Sequence, residues 1–156
     1  MLNKISDYVK IETIELNLKA KNKKDVIKEL HQNILKSNLV KDEELALKDL
    51  YSRENMGSTG IGKSVALPHA KTDAVDKMVI TVGISRDGIE YDSIDNQLVH
   101  IFFMFLCPKA DSNEYLRVLA RISRWIREDD NFNQNILKAK TAEEIVDLIK
   151  KEDNNE

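Results

Sequence analysis

Residues 98–107 read Leu-Val-His-Ile-Phe-Phe-Met-Phe-Leu-Cys, and residues 78–85 read Met-Val-Ile-Thr-Val-Gly-Ile-Ser. Both stretches are almost entirely apolar and rich in β-branched or aromatic side chains, which is typical of strands covered on both faces. A run of about ten residues is half of what a membrane-spanning helix needs. The two stretches therefore predict central strands of a sheet, with a short strand or turn around Gly88 to Tyr91 between them.

The residues before this pair of strands predict one strand and two helices. Apolar and polar residues alternate over 11–18, as they do in a half-buried strand. Apolar residues then recur at helical spacing from the potential N-cap Asn22 to about Ser37. A second helix is predicted from Asp42, which is followed by two glutamates that suit a helix N-terminus, to about Asn55.

Three more helices are predicted after the apolar strands. Asp111 and Glu114 have the spacing of a capping box at the start of a helix that runs to about Glu128. A short helix is expected from Asp130, and a last one from Thr141 to about residue 150. Helices before and after the strands predict an α/β three-layer sandwich, in which helices flank a mixed β-sheet of about five strands.

Length and composition favour a single soluble domain. The chain has 156 residues, of which 42% are hydrophobic and 33% charged, and its net charge is −3. We expect residues 1–150 to form one domain and residues 151–156 to be a frayed tail. The overall acidity gives no general attraction to nucleic acid, and no apolar segment predicts direct insertion into a membrane.

No metal or cofactor site is predicted. Cys107 is the single cysteine, and the three histidines do not form a metal-binding spacing with it. The first residues lack a basic segment followed by an apolar stretch, so no secretory signal is predicted and we expect a cytoplasmic protein.

The glycine-rich stretch at residues 56–64 reads Met-Gly-Ser-Thr-Gly-Ile-Gly-Lys-Ser and satisfies the P-loop pattern of nucleotide-binding proteins. A P-loop needs a strand before it and a helix after it, because the phosphates bind to free N–H groups of that helix. Here a predicted helix precedes the stretch, and Pro68 interrupts any helix that follows it. An NTPase, with Lys63 binding nucleotide, is therefore the less favoured alternative.

Residues 54–70 include this stretch and end in Val-Ala-Leu-Pro-His-Ala. They resemble the phosphorylation-site signature of fructose and mannitol type (type-2) enzyme IIA domains of the bacterial phosphoenolpyruvate-dependent sugar phosphotransferase system. Glu54 matches the acidic or amide residue of the pattern, the pair Ile61-Gly62 matches its aliphatic-glycine pair, and His69 matches the phosphorylated histidine. The resemblance extends from about residue 5 to about residue 149.

The resemblance implies a phosphotransferase component with a phosphohistidine intermediate. His69 would accept a phosphoryl group from the histidine-containing phosphocarrier protein and pass it to a cysteine of an enzyme IIB component during sugar uptake. The residue type suits this chemistry, since an imidazole with a pKa near 6.5 has a nucleophilic nitrogen at neutral pH.

Further site residues are expected to stabilise the phosphate. Arg53 stands 16 residues before His69, where the family has its active-site arginine, and a guanidinium can bind two phosphate oxygens. Glycines allow turns that point successive amides inward, so the loop between them could supply N–H donors. The expected phosphate loop consists of Gly57, Ser58, Thr59 and Gly60.

One position departs from the family pattern. Many members carry a second active-site histidine early in the late helix, and the matching residue here is Tyr115, which cannot become cationic at neutral pH. A second alternative is a regulatory phosphoprotein of the nitrogen-type branch, which shares the signature but signals by binding other proteins. The sequence identifies neither the sugar nor the oligomeric state.

Overall fold

The computed structural model describes residues 3–155 and contains a mixed five-stranded sheet. Its strands are β1 (Gly60–Gly62), β2 (Val65–Ala66), β3 (His69–Lys71), β4 (Val79–Ile89) and β5 (Val99–Cys107). β5 lies in the middle, antiparallel to β4 on one side. On its other side it pairs in parallel with β2 and β3, which follow one another along the same edge. β4 runs to Ile89 and so includes the first half of the segment Gly88 to Tyr91, where a separate short strand or turn was predicted.

Five α-helices cover the two faces of this sheet. They are α1 (Lys23–Ile34), α2 (Glu43–Asn55), α3 (Ser112–Glu128), α4 (Asp130–Lys138) and α5 (Ala142–Asn154). Apolar residues of α1 and α2 form one core with one face of the sheet, and those of α3, α4 and α5 form a second core with the other. The sheet is thus a middle layer between helices, which confirms the predicted α/β three-layer sandwich.

β5 is buried on both faces, as its composition predicts. Phe103 and Phe105 point into the α3–α5 core, whereas Phe102 and Met104 point into the α1–α2 core. Alternate residues of a strand point to opposite faces, so an uninterrupted apolar run is the pattern that a middle strand requires. Burial of these large side chains stabilises the fold by roughly 2 kcal/mol each.

The helix starts largely match their sequence signals. The side chains of Asn22, Asp42 and Thr141 each accept a hydrogen bond from a backbone N–H in the first turn of α1, α2 and α5. The predicted capping box of α3 is wrong. Asp111 precedes the helix but its side chain makes no cap hydrogen bond, and Glu114 is turned toward Arg117, with 2.5 Å between Oε1 and Nε.

The strand predicted over 11–18 is also wrong. A 3₁₀ turn occupies Ile11–Thr13, and an isolated bridge then joins Glu15 to Gly83 of β4. Leu16 packs against the α3–α5 core and Leu18 against the α1–α2 core. Residues two apart in a regular strand share one face, so this segment follows the outer edge of β4 through a few backbone hydrogen bonds without forming a regular strand.

The prediction of a frayed tail fails for its described part. α5 runs to Asn154 instead of ending near residue 150, and Asp153 is only 6% exposed. The Asp153 carboxylate accepts hydrogen bonds from the backbone N–H groups of Ile5 and Ser6, both at 2.9 Å. These bonds fix the last turn of α5 to the other end of the chain, while Glu156 lies outside the described residues.

Candidate active site

The glycine-rich stretch forms a β-hairpin. Gly62 and Val65 pair across β1 and β2, so Lys63 and Ser64 form a two-residue turn, with φ angles of 58° and 63°. Positive φ at both central residues is the signature of a type I′ hairpin. The helix that a P-loop needs after its lysine is replaced by a strand, and Lys63 Nζ lies 3.1 Å from Asp130 Oδ1. The stretch therefore lacks the strand–loop–helix structure that a P-loop requires, and the NTPase alternative is wrong.

His69 is the first residue of β3 and faces the α3–α5 core. Its imidazole stacks on the ring of Phe105, the residue opposite it in β5, with centroids 4.9 Å apart and planes inclined by 9°. Its Nδ1 lies 2.6 Å from the carbonyl oxygen of Leu67. A carbonyl only accepts hydrogen bonds, so Nδ1 carries the proton and donates it. The strand, the stacking and this bond together fix the orientation of the ring.

The other ring nitrogen, Nε2, is left with a free lone pair. It is buried and has no hydrogen-bond partner among residues 3–155. The pKa of His69 is lowered to about 4, mainly by burial and to a smaller extent by the charge of Arg53, whereas the bond to Leu67 and the charge of Glu54 act in the opposite direction. His69 is therefore neutral at neutral pH, with Nε2 in the form that acts as a nucleophile.

Arg53, the predicted phosphate-stabilising residue, lies near His69. It lies in the last turn of α2, is partly exposed, and is close enough for its charge to lower the pKa of His69. Its Nη1 donates a hydrogen bond of 2.9 Å to the carbonyl oxygen of Gly57. One side of the guanidinium is thus held by the glycine-rich loop, which leaves its other donors available for an anion.

The expected phosphate loop is arranged differently from the prediction. The N–H of Gly57 donates to the carbonyl of Glu54, that of Thr59 to the Glu54 carboxylate at 2.7 Å, and that of Gly60 to the hydroxyl of Ser58. Three of the four amide groups are therefore already bonded within the chain. The loop holds Arg53 and Glu54 in place, and it does not present a row of free donors.

Glu54 is the centre of a buried polar network, here called the Glu54 cluster, with Lys23, Thr59 and Tyr91. Glu54 is 7% exposed. Its carboxylate accepts from the Thr59 hydroxyl at 2.7 Å and from the Tyr91 hydroxyl at 2.9 Å, and it lies 3.0 Å from Lys23 Nζ. Burial and the Glu54 charge raise the pKa of Tyr91, which keeps its hydroxyl protonated.

Tyr115 lies beside His69, as its alignment with the second histidine of the family implies. The two ring centroids are 5.4 Å apart and the planes are inclined by 57°. The ammonium of Lys71, at the end of β3, stands 5.1 Å from the centroid of the Tyr115 ring. Sequence reasoning missed Lys71, and the signal available for it is its place two residues after His69, on the same face of the strand.

Phe105 and Leu67 also take part in the site without having been predicted. The family signature includes position 67 but does not indicate the use of its carbonyl, and Phe105 is one of several aromatic residues in β5.

Among the described residues no group of three or more histidine, cysteine, aspartate or glutamate side chains could hold a metal ion. No helix within residues 3–155 has the length and hydropathy to cross a bilayer.

Comparison with known proteins agrees with this arrangement. Residues 7–152 match the model of the family described as "Phosphoenolpyruvate-dependent sugar phosphotransferase system, EIIA 2". A fructose-specific EIIABC component of Bacillus subtilis (strain 168) is 33% identical over 150 residues, which cover 96% of this chain and 24% of that protein. The chain therefore spans about a quarter of that relative. A fructose-specific EIIA component of Haloferax volcanii is 31% identical over 93% of this chain and 94% of that protein.

Solved structures show the same fold. The nitrogen regulatory protein IIA-Ntr of Neisseria meningitidis superposes with a TM-score of 0.85 at 24% identity, over 93% of this chain and 98% of that one. The mannitol enzyme IIA of Escherichia coli, in its complex with phosphorylated enzyme IIB, gives a TM-score of 0.78 at 19% identity, over 92% and 99%. The chain belongs to the type-2 EIIA family of the phosphoenolpyruvate-dependent sugar phosphotransferase system.

Proposed function

We propose that this protein is a cytoplasmic phosphoryl carrier that accepts phosphate on Nε2 of His69. The observation that carries this proposal is the buried, neutral imidazole, whose Nδ1–H is bonded to Leu67 and whose Nε2 has no partner among the described residues. Buried polar atoms normally have hydrogen-bond partners, and those that lack one often have a catalytic role. Arg53, whose charge acts on His69, is the residue that we expect to stabilise the negative charge of the phosphoryl group.

The donor in this proposal is the histidine-containing phosphocarrier protein. The lone pair of Nε2 attacks the phosphorus atom and forms a P–N bond, while the P–N bond of the donor breaks and its electron pair returns to the donor imidazole. The proton on Nδ1 stays in place, bonded to the Leu67 carbonyl. No proton needs to be transferred to or from His69, so positioning and charge stabilisation account for the catalysis.

The acceptor in this proposal is a cysteine thiolate of an enzyme IIB component. A P–S bond forms, the P–Nε2 bond breaks, and its electron pair becomes the Nε2 lone pair again. Both steps use the same nitrogen and the same tautomer, which suits a reversible relay. Since Nε2 is closed to solvent, the side chains against it have to shift before either partner reaches it.

A nitrogen-type regulatory phosphoprotein is the alternative. The nitrogen regulatory and the mannitol enzyme IIA structures share the fold of this chain, so the fold does not separate a transport role from a regulatory one. Phosphoryl transfer to an enzyme IIB component does distinguish the two roles. A transport component passes its phosphate to the enzyme IIB encoded beside it, whereas a regulatory protein retains the phosphate when that enzyme IIB is added.

The central test is phosphorylation from phosphoenolpyruvate in the presence of enzyme I and the phosphocarrier protein. We expect an acid-labile phosphate on the wild-type chain and none on His69→Ala. Arg53→Lys keeps the charge but loses the planar guanidinium, and we expect it to accept phosphate on the order of 10- to 100-fold more slowly.

The control is His100→Gln, which removes another partly buried histidine, one whose Nδ1 is bonded to Ser85. This variant should accept phosphate at the wild-type rate. Phosphate on His69→Ala, or its loss in His100→Gln with the fold intact by circular dichroism, would contradict the proposal.

A further inference from the structure

We propose that Lys71 supplies the second cation of the phosphoryl site and that Tyr115 holds it beside His69. This inference rests on the proposed function, since it concerns a phosphoryl group carried by Nε2. It addresses the departure from the family pattern, in which a second histidine stands at the position of Tyr115.

The strand β3 places Lys71 and His69 on the same side. Alternate residues of a strand point to one face, and these two are separated by Ala70, which packs into the opposite core. The Tyr115 ring touches both of them, with its centroid 5.4 Å from that of the imidazole and 5.1 Å from Lys71 Nζ. The Tyr115 ring therefore lies between the Lys71 ammonium and the His69 imidazole and contacts both.

The charge of Lys71 is available for an anion. No carboxylate in the described part of the chain lies within 4.0 Å of its Nζ, and the side chain is exposed. The contact that holds Lys71 in place is a cation–π contact with the Tyr115 ring, which is weak at an exposed site. Lys23 makes a useful contrast, because its Nζ lies over the Tyr91 ring but is also bound to Glu54 at 3.0 Å.

The phosphoryl site needs such a cation. A phosphate on Nε2 brings close to two negative charges into a pocket walled by the rings of Phe105 and Tyr115. The amides of Gly57, Thr59 and Gly60 are already bonded within the chain, so they do not provide compensating donors. Arg53 is a single cation, and a tyrosine side chain at position 115 supplies no positive charge.

In the unphosphorylated protein, Lys71 rests on the face of Tyr115. When phosphate arrives on Nε2, the ammonium leaves the ring and pairs with a phosphate oxygen, because a charge-assisted hydrogen bond is stronger than the cation–π contact. The tyrosine thus positions the cation, and Lys71 provides the charge that the tyrosine lacks.

The first experiment compares single-turnover phosphorylation of Lys71→Gln, Lys71→Arg and Lys109→Gln by the phosphorylated phosphocarrier protein. Lys109→Gln is the matched control, because it removes the same charge at another position. The Lys109 side chain is 60% exposed and pairs with Asp73. We expect a loss on the order of tenfold for Lys71→Gln, near wild-type rates for Lys71→Arg, and less than twofold change for the control. Equal rates for Lys71→Gln and Lys109→Gln would overturn the inference.

Two further readouts separate contact with the phosphate from contact with the donor protein. A cation at the phosphate lowers the pKa of its second ionisation, so in a ³¹P NMR titration that pKa should rise in Lys71→Gln by roughly 0.5. Tyr115→His should make the lysine dispensable, so Lys71→Gln in that background should lose less than twofold. An unchanged phosphate pKa, or the same tenfold loss in both backgrounds, would mean that Lys71 does not act on the phosphate.

Failure of this inference can be distinguished from failure of the proposed function. If His69→Ala still becomes labelled, the proposed function is wrong whatever Lys71 does. If His69→Ala is unlabelled and Lys71→Gln behaves like its control, the carrier function stands and the role of Lys71 is rejected.

Discussion

His69 and Glu54 are two buried polar residues on either side of the same loop, and they differ in how far their polar atoms are hydrogen-bonded. His69 lies between aromatic rings, and its Nε2 has no hydrogen-bond partner in the described structure. The Glu54 carboxylate accepts hydrogen bonds from Thr59 and Tyr91 and forms an ion pair with Lys23. Both groups are costly to bury, but that cost is offset only at Glu54. The difference indicates that Glu54 builds the site, and it supports the proposal that His69 performs the chemistry.

Substitution of Glu54 should have the largest effect on stability. Glu54→Ala removes the acceptor for Thr59 and Tyr91 and leaves the Lys23 ammonium without its partner. We expect the free energy of unfolding to fall by about 3 kcal/mol in urea denaturation. The control Glu90→Ala removes an exposed carboxylate of the same length and should change it by less than about 0.5 kcal/mol. A loss at Glu54 no greater than that of the control would show that the cluster is not structural.

The pH dependence of stability should report the burial of His69. Its pKa is about 4 in the folded protein and near 6.5 when unfolded, so the unfolded chain binds more protons between these values. The stabilisation from the neutral ring is therefore complete above pH 6.5 and is lost as the pH falls toward 4. The stability difference between wild type and His69→Gln should rise by about 2 kcal/mol from pH 4.5 to 7.

The titration of Glu152 has to be eliminated from this measurement by substitution. Burial and the neighbouring Asp129 raise the pKa of Glu152 to about 7, so its contribution to stability falls as the pH rises through the same window. Both proteins should therefore carry Glu152→Gln. A stability difference that does not vary with pH would mean that His69 titrates at its ordinary pKa, and the contrast with Glu54 would disappear.

The smallest effect is expected in the hairpin turn, which neither buried group contacts. Ser64 has a φ of 63°, so Ser64→Gly should relieve backbone strain and raise the free energy of unfolding by about 0.5 kcal/mol, with phosphate acceptance unchanged. Ser52→Gly, in the exposed face of α2, should instead lower it by about 0.5 kcal/mol. Slower phosphorylation of Ser64→Gly would show that the turn belongs to the site.

The sequence predicts the layers of this fold well because their signals are local. The apolar runs of β4 and β5 and the caps of α1, α2 and α5 each depend on neighbouring residues. The strand predicted over 11–18 fails because alternation does not show which core a side chain enters, and here Leu16 and Leu18 enter different ones.

The sequence points to the proposed reactive residue of the candidate site but says less about the residues around it. His69 and Arg53 stand at fixed positions in or near a long signature, and the structure brings them together. The glycines of the loop indicate conformational freedom but not the partners of each amide. Lys23 and Tyr91 come from distant elements, and nothing in their local sequence connects them with Glu54.

The closed position of Nε2 has a consequence for how the carrier is switched on. Only molecules in which Nε2 is open to a partner can react, so the rate depends on the fraction of the protein in that open form. Each tenfold excess of the closed form slows the reaction tenfold for a donor that does not bind the pocket, which equals 1.4 kcal/mol. A partner that binds the open form more tightly recovers this loss, so burial of one nitrogen makes the relay selective for partners that open it.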